Sequence, residues 1–214
     1  MTQKFKGSIV ESKWVIDNIM GFYDAATAEH YNNGMQWYKN ANQVAVDIAC
    51  TYGKHVEQTV GIIAAFSPQC DWDNNLKYAE TFLRTGTTGR TKYQLSIAEQ
   101  VLKLETQEEI RKALSTTPDG APKVRAFYDC ILDPYCESVV VDRHAIACAL
   151  QKPTTVGVLD VNVQRITPQQ YAFIAYCYDE AARYIGILPN QIQAITWETY
   201  RSLRKLKQHS MFEL

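Results

Sequence analysis

Between His55 and Ser67 the chain reads HVEQTVGIIAAFS, an almost unbroken apolar stretch that Pro68 terminates. The length suits about three turns of helix, and a helix that is apolar all round has to be buried on every side. Other helices must therefore surround it. The rest of the chain supplies them: SKWVIDNIMGFYDAA sets Trp14, Ile16, Ile19, Met20, Phe22 and Tyr23 close to one helical face. MQWYKNANQVAVDIACTYG predicts a helix from Met35 that ends near Gly53, a residue suited to a C-cap.

Further helices are predicted over NNLKYAETFLRTG, ended by Gly86, then TKYQLSIAEQVLKLE and TQEEIRKALST. The last of these opens with the capping-box pair Thr106 and Glu109. PKVRAFYDCILDP places Pro122 just at or before its first turn, and DRHAIACALQ is capped by Asp142. Two long helices follow, PQQYAFIAYCYDEAARYIG and PNQIQAITWETYRSLRKLKQ. SVVVD and TTVGVLDVNVQRI look extended, but neither alternates cleanly enough to argue a sheet, and 152–167 reads as a loop or short hairpin. The expected fold class is all-α, a single domain over 1–214 folded as two helical lobes around a cleft. One lobe is expected over approximately 96–150, and the remainder forms the other.

With 214 residues, 46% of them hydrophobic, the chain has the balance of an ordinary globular protein. It has no apolar run near the ~18 residues of a membrane span and no signal-peptide pattern, so no membrane partner and a cytoplasmic location are expected. The six cysteines are scattered without a C-x-x-C pair and are expected to be buried free thiols. His30, His55, His144 and His209 form no pair with metal-ligand spacing, so no metal is expected. A net charge of −1 gives no global signal for nucleic acid. The basic cluster Arg201, Arg204, Lys205 and Lys207 could still hold phosphates locally, or it is a solvated helix end.

Two stretches carry more polar chemistry than a connector needs. In AAFSPQCDWDNNLKYA, Ser67, Gln69, Asp71, Trp72 and Asp73 stand between two apolar helices. The plain alternative is an elaborate N-cap, with Asp73 or Asn74 capping and Trp72 as a hydrophobic staple. In TTPDGAPKVRAFYDCILDPYCESVVVDRH, Lys123 falls in the first turn of a helix, where the dipole disfavours it, and Asp142, Arg143 and His144 gather at another helix start. Here too Asp142 could be only a cap.

The two stretches together resemble parts of the endonuclease III-like, helix-hairpin-helix DNA glycosylases. GIIAAFSPQCDWDNNLKYAETFL is similar to that family's helix–loop–helix with a Ser-x-Gln turn. LSTTPDGAPKVRAFYDCIL followed by SVVVDRHAIACAL is similar to its hairpin and Val-Asp-Thr-His motif, with Arg143 in place of threonine. The resemblance covers roughly 60–150. It departs in the hairpin, where TPDGAPK has one glycine, Gly120, and where Pro122 lacks an amide donor. No four-cysteine loop is present at the C-terminal end, so no iron–sulfur cluster and no other cofactor are expected. Several blocks, among them WYKNA and VDRHA, also resemble a group of phage and bacterial proteins.

The resemblance implies a DNA N-glycosylase acting as a monomer on double-stranded DNA with a flipped base, or on a single strand. It implies Asp142 as the carboxylate that stabilises an oxocarbenium-like transition state, and Lys123 as a lysine able to form a Schiff base. Gln69 matches an intercalating wedge within the Ser67 turn. Trp72, Trp37 and Tyr38 are candidates to stack on an extruded base, and Asn75 to read its edge. Arg125, Arg143 and His144 are candidates for the phosphates or the cleft. In the last helix Gln193, Trp197 and Arg201 share one face at four-residue spacing; they line the site, or Trp197 packs inward and Arg201 pairs with Glu198 or another carboxylate nearby. The implied substrate is a modified base, first a bulky phage pyrimidine such as glucosylated hydroxymethylcytosine, in antiviral defence or base-excision repair. Two alternatives stay open: an enzyme of base hypermodification or nucleotide processing on the same scaffold, and a non-catalytic nucleic-acid-binding protein.

Overall fold

The computed structural model describes residues 1–5, 8–115, 122–151 and 166–212, with side chains of the last helix described to Lys205. The described residues are mainly helical, in ten helices with one small hairpin, so the fold is all-α. They divide into two compact units, Met1–Tyr38 with Tyr135–Leu214, and Lys39–Pro134. Residues 96–150, expected as parts of one lobe, are thus divided between the two after Pro134.

The first unit opens with strands β1 (Thr2–Phe5) and β2 (Ser8–Glu11), paired antiparallel with Phe5 opposite Ser8. No strand is expected there from the sequence. The hairpin leads into α1 (Ser12–Asp24), and the first turns of α2 (Ala28–Tyr52) follow. Late in the chain come α8 (Arg143–Leu150), α9 (Pro168–Ile185) and α10 (Pro189–Phe212). Helices α1, α8, α9 and α10 pack on one another around Ile19, Val141, Ile146, Ile174, Tyr178 and Ile192. Phe5 joins this core with its ring 6.0 Å from that of Phe173.

Helix α2 starts seven residues before Met35, running through Asn32-Asn33-Gly34, a sequence that reads as a turn. Gly34 has a packing reason to be there. A Cβ on it would stand 2.5 Å from the backbone nitrogen of Ile195 in α10, so only glycine lets the helices cross so closely. The far end of α2 stops at Gly53, in the left-handed region at φ 60°, as the sequence predicted.

The second unit is built around α3 (Val56–Phe66), whose residues from Gln58 to Phe66 are all buried. Helices α4 (Trp72–Thr85), α5 (Lys92–Val101), α6 (Gln107–Ala113) and α7 (Pro122–Leu132) pack against it. The apolar stretch thus has the buried, surrounded place its composition demands. The Thr106–Glu109 capping box is formed, and the same device opens α5 with Thr91 and Gln94 and α9 with Thr167 and Gln170. Gly86 ends α4 at φ 74°.

SVVVD is extended and forms no strand among the described residues, as its lack of clean alternation implies. Two expectations are corrected. Asp71, not Asp73 or Asn74, caps α4. All six cysteines are free, yet Cys50 is exposed and Cys70 and Cys136 are only half-buried. The second extended stretch and the hairpin TPDGA, 117–121, lie outside the described residues. Among the described residues no helix is long and apolar enough to cross a membrane.

Candidate active site

The first unit delivers Asp142 to a fixed place. Val139, Val140 and Val141 are 5%, 5% and 3% exposed, and their apolar side chains draw the segment inward. Tyr171 of α9 clamps its backbone: the hydroxyl donates to the Val139 carbonyl at 2.7 Å and accepts from the Val141 amide at 3.2 Å. Asp142 then caps α8, its Oδ1 accepting from the amides of His144 at 2.9 Å and Ala145 at 2.8 Å. These satisfy two of the orphan donors of the helix start. Both bonds go to one oxygen. Among the described residues Oδ2 of the half-buried Asp142 accepts none.

Helix α8 has only eight residues, too short to hold itself, and buried polar groups pin it. Asn18 of α1 donates to the Ala149 carbonyl at 3.0 Å, and Tyr178 of α9 donates to that of Ala145 at 3.3 Å. Cys148 donates weakly to the Thr196 carbonyl of α10 at 3.6 Å. Burial drives both the Cys148 thiol and the Tyr178 hydroxyl well above their ordinary pKa values, so both stay neutral donors. No pattern in the sequence marks Asn18, Tyr171, Tyr178 or Thr196. Each acts on a partner more than twenty residues away or through a buried backbone group, and no local spacing encodes that.

Beside Asp142, the His144 ring lies 5.3 Å from that of Tyr200 and 6.1 Å from that of Trp197. Burial is the largest cause lowering the His144 pKa; the Asp142 charge opposes it, and Arg143, Arg204 and Arg201 add to it. The imidazole is therefore neutral near pH 7, and its Nε2 accepts from Arg143 Nε at 3.3 Å. The Arg201 guanidinium stands 4.4 Å over the Trp197 ring. That cation–π contact, not an ion pair with Glu198, is where Arg201 goes. Trp37 meets Trp197 edge-on at 6.2 Å and Tyr38 at 4.8 Å.

Tyr38 is 5% exposed and its hydroxyl donates to Gln193, itself buried, at 2.8 Å. Burial removes Tyr38 from the candidates for stacking on a base. The Gln193–Trp197–Arg201 stripe runs from a buried amide, through a half-buried indole, to an exposed guanidinium. The fold thus gathers Asp142, Arg143, His144, Trp37, Trp197 and Arg201 within the first unit.

The second unit holds the other group. Ser67 closes α3 and its hydroxyl donates back to the Ala64 carbonyl at 2.9 Å. The Arg90 guanidinium donates to the Pro68 carbonyl, while its charge lies over the Tyr78 ring at 5.2 Å. Gln69 is exposed with φ 57°, the only non-glycine with positive φ among the described residues. A left-handed glutamine is strained, and such strain persists only where the surroundings impose it.

Asp71 caps α4 through both oxygens: Oδ1 takes the Asn74 amide at 2.9 Å and Oδ2 its side-chain amide at 2.8 Å. Trp72 follows, edge-on to Phe127 of α7 at 6.4 Å. One turn on, Asn75 is 2% exposed, and its Oδ1 has no hydrogen-bond partner. Lys123 and Arg125 are half-buried in the first turn of α7, and Arg125 Nε is buried without a partner. The fold thus brings Trp72 beside the helix that carries Lys123.

The chain belongs to a family described as a family of unknown function (DUF7178), whose model matches residues 1–204. Neither the curated proteins nor the solved structures searched contain a match.

Proposed function

We propose that the protein is a DNA N-glycosylase that excises a modified base, with Asp142 as its catalytic carboxylate. The observation that carries this reading is the divided use of Asp142: Oδ1 is consumed by the α8 amides, while Oδ2 accepts no hydrogen bond among the described residues. A carboxylate held by one oxygen is fixed in orientation and still has a free oxygen to present.

The reaction requires little more. The base is first extruded from the stack. The C1′–N bond then breaks, its electron pair leaving with the base, and positive charge spreads over C1′ and the ring oxygen. A fixed carboxylate stabilises that charge and orients the water that adds to C1′. The water's proton is released, and the departing nitrogen gains one. In this reading Gln69 fills the vacated place in the stack, and its imposed left-handed backbone suits a wedge. Trp72 and Trp37 offer aromatic faces, and the unpaired amide oxygen of Asn75 suits a base edge. A bulky modified pyrimidine, for instance glucosylated hydroxymethylcytosine, is the substrate class we favour, on the resemblance to phage and bacterial proteins.

Lys123 would add a lyase step if its amine condenses with the C1′ aldehyde of the ring-opened abasic sugar, water leaving as the Schiff base forms, after which loss of a C2′ proton expels the 3′-phosphate. Borohydride would trap that adduct in the wild type and not in Lys123→Gln. The deciding experiment incubates the protein with genomic DNA from phages carrying different base modifications and reads abasic sites with an aldehyde-reactive probe. Abasic sites on one modified DNA, lost in Asp142→Asn, are expected. DNA binding without abasic sites on any DNA would move the assignment to base modification or plain binding.

A further inference from the structure

We propose that Arg143 and Arg201, gathered about His144 and Trp197, form a binding site for a phosphate group of the substrate. The choice of a nucleic acid as the phosphate's carrier rests on the glycosylase reading; the phosphate chemistry does not.

Two guanidiniums from two helices, α8 and α10, flank this pair of rings: Arg143 donates to the His144 ring at 3.3 Å, and Arg201 stands 4.4 Å over Trp197, whose ring lies 6.1 Å from that of His144. Asp142, which precedes Arg143 and faces the same imidazole, carries one negative charge against their two positive ones. Two other arginines have carboxylate partners: Arg111 bonds Asp129 at 2.8 Å, and Arg183 is paired with both Asp179 and Glu180. Among the described residues Arg143 and Arg201 have no such carboxylate. Like charges gathered with too little counter-charge cost stability, and an anion between them relieves that cost.

The geometry also suits a phosphate. Arg201 is already oriented by the Trp197 ring beneath it, so less side-chain freedom is lost when its planar fork bonds two phosphate oxygens. Arg143 donates to His144 Nε2, which places the imidazole proton on Nδ1. That Nδ1 has no hydrogen-bond acceptor among the described residues. A phosphate oxygen would supply one, giving a neutral donor next to charged ones.

The phosphate could come from a DNA strand or from a free nucleotide, and the test separates them. The full chain is titrated against a fluorescein-labelled oligonucleotide by anisotropy at several salt concentrations. Deoxycytidine monophosphate and inorganic phosphate are then used as competitors. His144 imidazole resonances are followed by NMR as the local readout. Variants are Arg201→Gln, the double Arg143→Gln/Arg201→Gln, and Arg201→Lys. Arg143 and Arg201 are exposed, so these variants keep the fold, and circular dichroism verifies it.

The double variant is expected to weaken oligonucleotide binding by about ten-fold or more. It should also flatten the dependence of log K on log salt by ~0.7 per lost phosphate contact on a single strand. Arg201→Lys should keep the slope but bind less tightly, having lost the fork. Inorganic phosphate should shift the His144 resonances in the wild type and not in the double variant. Displacement by the monophosphate with no oligonucleotide binding would keep the site and make its carrier a free nucleotide. Binding without abasic sites keeps the site and removes the glycosylase reading. Equal affinity and slope in wild type and double variant, or no response to any phosphate probe, overturns the proposal.

Discussion

Asp71 and Asp142 both stand in extended backbone at the entrance of a helix, and both accept hydrogen bonds from amides just inside it. Their second oxygens differ. Asp71 is exposed and closes its remaining oxygen on the Asn74 side chain, whose bonds hold its carboxyl below the ordinary pKa. Asp142 is half-buried, satisfies two amides with one oxygen, and sits among arginines and a neutral histidine. A capping pattern therefore does not tell a structural carboxylate from a chemical one. What separates them is how much of the carboxylate the protein itself uses.

The sharpest test of that contrast is to make the same substitution at both caps. Asp142→Asn should cut abasic-site yield by about 100-fold or more. Its unfolding midpoint should stay close to that of the wild type, because asparagine caps almost as well as aspartate. Asp71→Asn should leave the yield unchanged, and an equal loss there would erase the distinction. Next in size, Asp142→Ala removes the cap itself and should cost about 1–2 kcal/mol in urea unfolding. Equal stability of the alanine and asparagine variants would show that α8 does not depend on its cap.

Two smaller effects concern pH. The folded pKa of His144 lies below its unfolded value, so the unfolded chain binds more protons as pH falls through about 6.5. Stability is then lost on acidification from that pH down to the lowered folded value. His144→Gln should flatten this slope, and urea midpoints between pH 7 and 5 would show it. Smallest is the effect at Asp71, also a depressed folded pKa. Its contribution is present above the ordinary carboxylate range and lost as pH falls through the folded value. Asp71→Asn should lessen acid destabilisation below about pH 4 without altering the His144 limb.

What the sequence made legible was local. Thr106 and Glu109 announce a capping box by spacing alone, and Asp142 before an apolar helical run announces a cap. The run from Val60 to Phe66 announces its own burial. Less legible were choices between near-equals and contacts across the chain. Asp71, Asp73 and Asn74 all offer cap chemistry, and only the path of the backbone out of the Gln69 turn selects the first. The four-residue strands carry too few residues for a period, and Phe5 is held by Phe173, far along the chain. Glu198, three residues before Arg201, offers an ion pair by spacing, yet the guanidinium stands over Trp197, four residues before it. The meeting of His144 with Trp197 and Tyr200 depends on two helices that share no sequence signal.

The crossing at Gly34 has a consequence for how this molecule tolerates change. Ile195 meets it with backbone atoms as well as a side chain, so nothing there can rotate out of the way. Sensitivity at this position should be a step rather than a gradient: alanine, serine and tryptophan all exceed a clearance that is already gone. Trp37 lies one turn along α2, and Trp197 just beyond Ile195 in α10, so the displacement would reach the aromatic contact between them. Position 34 acts as a gauge for the distance between those rings, set by the absence of a single carbon atom.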